Sequence, residues 1–387
     1  VSAAVPARPD AAVVVAARRT PIATTGRAFG TVAVDRLAAT ALTAVADDAD
    51  GLGPVDDVVL GNCTGPGGNV ARVAALSAGL GVGVPGVTVD RQCGSGLAAV
   101  LHAADHVRGG DAGLVLAGGA ESASTAPLRV RRSAAGDEPY ERAPFAPPEF
   151  GDPDMGAAAD RLAGSCGVGR QRQDRYAQAS HAKALRAREQ GRFDAETVPV
   201  GEVEHDDRPR RLSMSVLARM PAAFVPDGTV TAGNSCANSD GAAAVAVVPE
   251  SARAGRPGLR LVAGSVTGCD PRLPGWGPVD AVRRVLDRAG ADVCDLAAVE
   301  IVEAFAGQVL AVTDALGLDP LEVDAGVVCA DGGALALGHP WGATGAVVVV
   351  RLFSRLVRDG AAAGTLGLAT AAVGGGMGVA AVFEVVR

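Results

Sequence analysis

An internal repetition constrains this chain more than any other feature of its sequence. In the first half, Cys93-Gly-Ser-Gly opens an apolar helical pattern that ends in Arg108-Gly-Gly; a strand-like run starts at Leu114 and leads to Gly118-Gly119. In the second half, Gly338-His339-Pro-Trp-Gly opens an apolar helical pattern that ends in Arg358-Asp-Gly; a strand-like run starts at Leu366 and leads to Gly374-Gly375-Gly376. Cys93 and His339 are 246 residues apart, and Arg108 and Arg358 are 250 apart, so the register holds over the whole unit. Residues 55–61 and 296–302 pair upstream in the same way, as strands running into loops. Two copies of one α/β unit are the economical reading.

The unit itself is α/β. Runs at 13–15, 58–60, 114–116, 259–266, 299–301 and 367–369 read as strands, and helical spacing fills 35–46 and 279–289. Strands alternating with helices predict βαβ units and a mostly parallel sheet. The expected division is an N-terminal half over 1–125, to which 219–255 returns, and a C-terminal half over 256–387. Between them, 126–218 differs in composition, rich in Pro, Arg and acidic residues, with an amphipathic helix across 171–189. It reads as a lid inserted between the repeats, where binding function concentrates.

Composition narrows the function classes. A net charge of −8 without a basic patch argues against a nucleic-acid partner. The apolar stretch 11–17 is too short to span a bilayer and fits a buried strand. The cysteines at 63, 93, 166, 236, 269, 294 and 329 form no CxxC pair and read as free thiols of a reducing compartment, with a cytoplasmic location expected.

Cys93 sits where a strand and turn lead into a helix. The unpaired N–H groups there lower a thiol's pKa, so a value below the ~8.5 of free Cys is expected. An isolated cysteine is more often a core residue. His339 occupies the equivalent helix start of the second repeat, where an imidazole can take a proton or polarise a carbonyl. If the two helix starts face each other across the repeat interface, Cys93 and His339 form an activated-nucleophile pair. The glycine run at 374–378 lies between two apolar strands. A dinucleotide fingerprint needs a helix after its glycines, so NAD binding is excluded. The run is either an oxyanion-binding loop or a plain hairpin turn.

With these residues in view, the chain resembles the thiolases over its whole length. Cys93-Gly-Ser-Gly is similar to their acyl-accepting motif, and Glu303-Ala-Phe-Ala306 to the Asn-Glu-Ala-Phe motif minus its first residue. The run from Gly332 through His339 to Gly345 is similar to the histidine motif. Gly233-Asn234 and Asp240-Gly241-Ala242 resemble the stretch after the loop domain. Asp174, Ala177, Ser180, Lys183 and Gly191-Arg-Phe193 resemble the loop domain's helix. The resemblance implies two α/β halves stacked into a five-layered αβαβα body with an inserted loop domain. It implies a homodimer or homotetramer and an acyl-CoA substrate, with no cofactor besides that thioester and no metal. Cys93 would carry the acyl group, His339 would activate it, and the N–H groups of Cys93 and Gly374 would form an oxyanion hole. Met155, Phe305, Val302 and Ala372 would line the substrate pocket.

The departures fall on one side of the reaction. The family's Asn before Glu-Ala-Phe is Val302, its second catalytic Cys is Ala372, and its His before Met-Gly is Asp154. The expectation is an acyltransferase with an intact acylation half and an impaired Claisen half, acting on a non-standard acceptor. Cys329, Cys236 and Cys269 flank the relevant loops; no spacing promotes any of them as a replacement base, and Cys329 is the first to test. The alternatives are a non-catalytic acyl-CoA-binding or scaffold subunit, and a thioester hydrolase.

Overall fold

The computed structural model describes residues 10–134, 136–321 and 326–387. The first residues of the expected 1–125 half, 1–9, lie outside them. The first repeat runs β1 (Ala12–Arg19), β2 (Ala23–Thr24), α1 (Val34–Asp48), β3 (Asp57–Gly61), α2 (Val70–Ser77), β4 (Val87–Val89), α3 (Ser95–Gly109) and β5 (Val115–Ser122). The excursion carries β6 (Arg129–Ser133), β7 (Gly136–Tyr140), α4 (Met155–Ser165), α5 (Arg170–Glu189) and α6 (Met214–Leu217). The chain then returns as β8 (Ser239–Pro249). The second repeat contains β9 (Gly258–Gly268), α7 (Gly277–Ala289), β10 (Leu296–Ile301), α8 (Ala306–Leu316), α9 (Ala334–Leu337), α10 (Trp341–Phe353), β11 (Leu366–Val373) and β12 (Met377–Val386).

The main sheet is ordered β10-β11-β12-β9-β1-β8-β5-β3-β4, with β2 paired to β8. From either end towards the middle, parallel pairing gives way to antiparallel: β10 with β11 at one end, and β4 with β3 and β3 with β5 at the other. The two sequences of pairings mirror each other about the antiparallel contact of β1 with β9, which is short, joining Val13 to Arg260 and Val14 to Leu259. A pseudo-twofold axis between β1 and β9 accounts for this order.

The expectation of a mostly parallel sheet is therefore corrected. Parallel pairing is confined to β10–β11, β3–β5 and β3–β4, and the middle of the sheet is antiparallel. The cause is that each repeat ends in a strand that folds back without a crossover helix. In the second repeat that strand is β12, which returns from β11 through the glycine loop. In the first it is β8, delayed by the whole excursion and built from Ala and Val.

Three apolar clusters separate five layers. The alternation along β8 shows the principle: Ala243, Val245 and Val247 face the central cluster with α3 and α10, while Ala242, Ala244, Ala246 and Val248 face the outer cluster with α1 and α2. On the other half, Ala380 and Val382 face α7 and α8, while Val379, Ala381 and Phe383 face the centre. Lying between two sheets, α10 is buried along its whole length except Trp341. It crosses α3 at backbone contact. A Cβ on Gly96 would stand 2.6 Å from the Ala346 nitrogen, and one on Gly345 would stand 2.4 Å from the Leu97 nitrogen.

The excursion is fastened by buried charge. Arg19 of β1 donates from Nε to Glu196 at 2.8 Å and from Nη1 to Asp206 at 2.7 Å. The other Glu196 oxygen accepts from Arg351 of α10 and from Ser354 Oγ. Phe193 lies between the two guanidinium groups, 5.3 Å from Arg19 and 4.7 Å from Arg351. Although burial alone would raise it, Arg351 and Arg19 hold the Glu196 carboxyl below its ordinary value.

Candidate active site

Cys93 occupies the turn between β4 and α3. Ser95 Oγ accepts from the Arg91 N–H at 2.7 Å and donates to the Gln92 carbonyl at 2.7 Å, holding Gln92 at a φ of 44°. The turn packs on the end of β11: a Cβ on Gly94 would stand 2.7 Å from Val373 Cγ2. This brings the next residue, Gly374, to the thiol. The backbone N–H groups of Cys93 and Gly374 both lie against its sulfur and favour its charged form. The glycine loop is thus a hairpin turn by connectivity and an N–H donor by position. Phe145 of the excursion covers its far side, where a Cβ on Gly374 would stand 2.8 Å from the ring.

His339 stands at the start of α10. Its N–H donates to the Ala237 carbonyl at 3.0 Å, and its Nδ1 lies 2.8 Å from Thr344 Oγ1. The Thr344 hydroxyl proton goes to the Pro340 carbonyl at 2.9 Å. The pattern assigns the ring proton to Nδ1 and a lone pair to Nε2. Nε2 is buried and has no hydrogen-bond partner among the described residues. Burial pushes the imidazole down to about 4.

The thiol corrects an expectation. Burial pushes Cys93 up to about 12, and the charges of Glu121 and Asp90 act in the same direction, against the two N–H groups. Loss of solvation outweighs the helix start. At neutral pH the thiol and the imidazole are therefore both uncharged.

Two other thiols lie within electrostatic range of Cys93. Cys63 Sγ is 3.7 Å from Ser95 Oγ, and Cys63 is raised by burial, then by Glu121 and Cys93. Cys236 is pinned by its N–H to the Ala304 carbonyl at 3.0 Å. Burial and then the Cys93 charge push it up to about 12, opposed by Arg208. Cys329 sits elsewhere, in the outer core of the second half, with Sγ on the Ile301 carbonyl at 3.4 Å. Its charged neighbours are Glu300, Glu303 and Lys183, which removes it as a replacement base.

Met155 and Phe305 come together with Ala159, Val230 and Ala304 in a small apolar cluster. Phe224 adds its ring edge-on to Phe305, with centroids 6.0 Å apart. Asp154, the residue before Met155, caps α4 by accepting from the Gly156 N–H at 2.8 Å. Ala372 is 8% exposed and presents only a methyl group. Val302 is 1% exposed and belongs to the central core. Its N–H donates to the Thr370 carbonyl at 3.0 Å, which continues the pairing of β10. It is as buried as His339, at 2% exposure, and offers only an isopropyl group.

Sequence reasoning missed Arg208, Phe145 and Phe224, and it named Cys236 only as one of three cysteines flanking the site loops. Cys236 lies between two quoted motif fragments, Gly233-Asn234 and Asp240-Gly241, and that position was its available signal. Nothing local in the sequence marks the other three. Among the described residues, no group of three His, Cys, Asp or Glu side chains could hold a metal ion, and no helix is long and apolar enough to cross a membrane.

A duplicated α/β body with a cysteine and a histidine at paired helix starts defines a class of acyl-transferring proteins. Comparison gives the family. Residues 12–251 match "Thiolase, N-terminal domain" and 256–385 match "Thiolase, C-terminal domain". The chain belongs to the thiolase superfamily. It is 40% identical over 395 residues to an acetyl-CoA acetyltransferase of Pseudomonas aeruginosa, covering 95% of this chain and 98% of the relative. It is 40% identical over 337 residues to the putative acetyl-CoA C-acetyltransferase YhfS of Bacillus subtilis, covering 86% and 88%. The crystal structure of the Bacillus anthracis acetyl-CoA acetyltransferase matches with a TM-score of 0.90 at 35% identity, covering 98% of this chain and 100% of that one. Human mitochondrial 3-ketoacyl-CoA thiolase in complex with CoA matches with a TM-score of 0.89 at 31% identity, covering 98% and 99%. The family is one of acyl-CoA acyltransferases, and this chain shares its fold.

Proposed function

We propose that the protein transfers an acyl group from a coenzyme A thioester to a second nucleophile through an acyl-enzyme on Cys93. The observation that carries the reading is the convergence of two backbone N–H groups, of Cys93 and Gly374, on one thiol. His339 Nε2 takes the Cys93 proton as the sulfur attacks the thioester carbonyl, and those N–H groups hold the oxygen as it gains charge. The tetrahedral intermediate expels the coenzyme A thiolate, which takes the proton from the imidazolium. An imidazolium as acidic as this buried one gives up its proton readily. The acceptor then attacks the Cys93 thioester, and the Cys93 thiolate leaves and takes up the proton that the acceptor gives up.

Val302 and Ala372 leave no acid or base on the acceptor side, so ordinary Claisen condensation and thiolysis are slow in this reading. The acceptor is a nucleophile that needs no strong base. The protein works as a cytoplasmic homodimer or homotetramer, with no cofactor besides the thioester, and divides into two halves at 125 and 256 around the lid 126–218. Incubation with acetyl-CoA and weighing of the intact protein tests the mechanism. An acetyl adduct that maps to Cys93 is expected. No adduct on any residue would favour a scaffold subunit, and an adduct that decays to free acetate a hydrolase.

A further inference from the structure

Arg208 lies in the part of the excursion that leads back towards β8. Its Nε donates to the Leu335 carbonyl at 3.0 Å, and its Nη2 donates to the Ser235 carbonyl at 2.9 Å. Leu335 belongs to α9, just ahead of His339, and Ser235 bridges to Phe305 beside Cys236. The guanidinium is thereby fixed between the histidine segment and the Phe305 segment. Its Nη1 has no protein hydrogen bond, and no carboxylate lies within ion-pair distance among the described residues.

The two fully buried arginines, Arg19 and Arg351, each pair with two carboxylates, whereas the half-buried Arg208 is held by backbone carbonyls alone. The acidic neighbour of Arg208 in sequence, Asp207, turns its oxygens to the Thr24 N–H and hydroxyl. Burial, and then the like charge of Arg210, hold the Arg208 guanidinium down to about 10, and Arg27 adds to the repulsion. Three clustered guanidinium groups facing one carboxylate leave positive charge that an incoming anion would neutralise. The apolar cluster of Met155, Ala159 and Phe305 lies beside this charge through the Ser235–Phe305 bridge, which suits methylenes that end in a charged group.

We propose that Arg208 selects acyl donors whose chain ends in a carboxylate, the coenzyme A half-thioesters of short dicarboxylic acids, by pairing with that carboxylate through its free Nη1. The inference rests on the acyl-transfer reading above. The bonds made and broken are unchanged: Cys93 sulfur joins the acyl carbon, the coenzyme A thiolate leaves, and the distal carboxylate stays ionised. Arg208 is a specificity residue and touches none of the reacting atoms.

The test is a single-turnover competition between equal amounts of succinyl-CoA and butyryl-CoA, with the two acyl-enzymes read by intact mass. Wild type is expected to favour succinyl by about 10- to 100-fold, the range for a hydrogen-bonded charge pair. Arg208→Gln is expected to lose the preference and Arg208→Lys to keep part of it. The wild-type competition stands even if a variant fails to fold. Equal labelling by the two donors in wild type, or a preference that survives in Arg208→Gln, overturns the inference. The same pair as pantetheine thioesters separates acyl carboxylate from coenzyme A phosphate. A preference that persists supports the proposal; a preference lost with the phosphates assigns Arg208 to them and overturns it. Labelling by butyryl-CoA alone removes only this inference, whereas labelling by neither donor removes the acyl-transfer reading with it.

Discussion

The two flanks of the site are furnished differently. On the Cys93 flank, two backbone N–H groups face the sulfur, and Ser95 closes the turn with two hydrogen bonds at 2.7 Å. On the other flank, Ala372 offers a methyl group and Val302 has withdrawn into the core at 1% exposure. Fixed dipoles stabilise charge that develops on an acyl carbonyl, whereas methyl and isopropyl groups can neither accept nor release a proton. The difference separates forming an acyl-enzyme from generating its carbon nucleophile, and it makes the first the better supported capacity.

The largest expected effect tests the furnished flank: Cys93→Ala forms no acyl adduct from acetyl-CoA by intact mass. An adduct at the wild-type level would end the comparison. Next, His339→Asn slows Cys93 acylation by ~10²–10⁴-fold in stopped assays, the range for loss of a general base. An unchanged rate would make the histidine structural. On the bare flank, Ala372→Cys raises thiolysis of acetoacetyl-CoA above wild type, recovering part of a similar ~10²–10⁴-fold factor. Wild-type thiolysis as fast as in its acetyltransferase relatives would show that the flank is not bare, and Cys236 is then the thiol to replace. Iodoacetamide provides a smaller readout. A thiol raised to about 12 is almost wholly protonated at neutral pH, so Cys93 is alkylated more slowly than the exposed Cys166, and its rate climbs about tenfold per pH unit through pH 10. A plateau below pH 9 would contradict the burial argument. The smallest effect is on stability: Val302→Asn places a carboxamide in the central core and costs about 1–3 kcal/mol in urea unfolding.

The repetition made the contact of α3 with α10 legible, because equivalent helices in two copies of one unit meet at the symmetry axis. It did not reveal strand direction. The return strand of the first repeat is Ala-rich and follows a long excursion, so β8 carried no clear signal beside the Val and Leu runs. The thiol's raised pKa was hidden for a different reason. A helix start is visible in sequence, but desolvation by distant segments is not, and here the second effect is larger. Arg208 was lost in a run of arginines, and only tertiary structure shows which of them is fixed by the Leu335 and Ser235 carbonyls. Cys329 failed as a candidate because proximity in sequence to the histidine motif says nothing of where its sulfur points.

The Glu196 carboxylate has a consequence for how the chain is made. Arg19 precedes it by 177 residues, and Arg351 follows it by 155. During synthesis from the N-terminus, β1 emerges long before its acid, and the acid long before its second base. A carboxylate taken out of water beside one guanidinium alone is poorly compensated. The contact can therefore close only when both repeats and the excursion have met, so it belongs to the end of folding, with loop closures of this length still to be completed. A nascent chain lacking α10 holds this acid without its second base. The charge cluster thus works as a completeness check on the molecule up to Ser354, which truncations ahead of α10 fail and truncations in β11 or β12 pass.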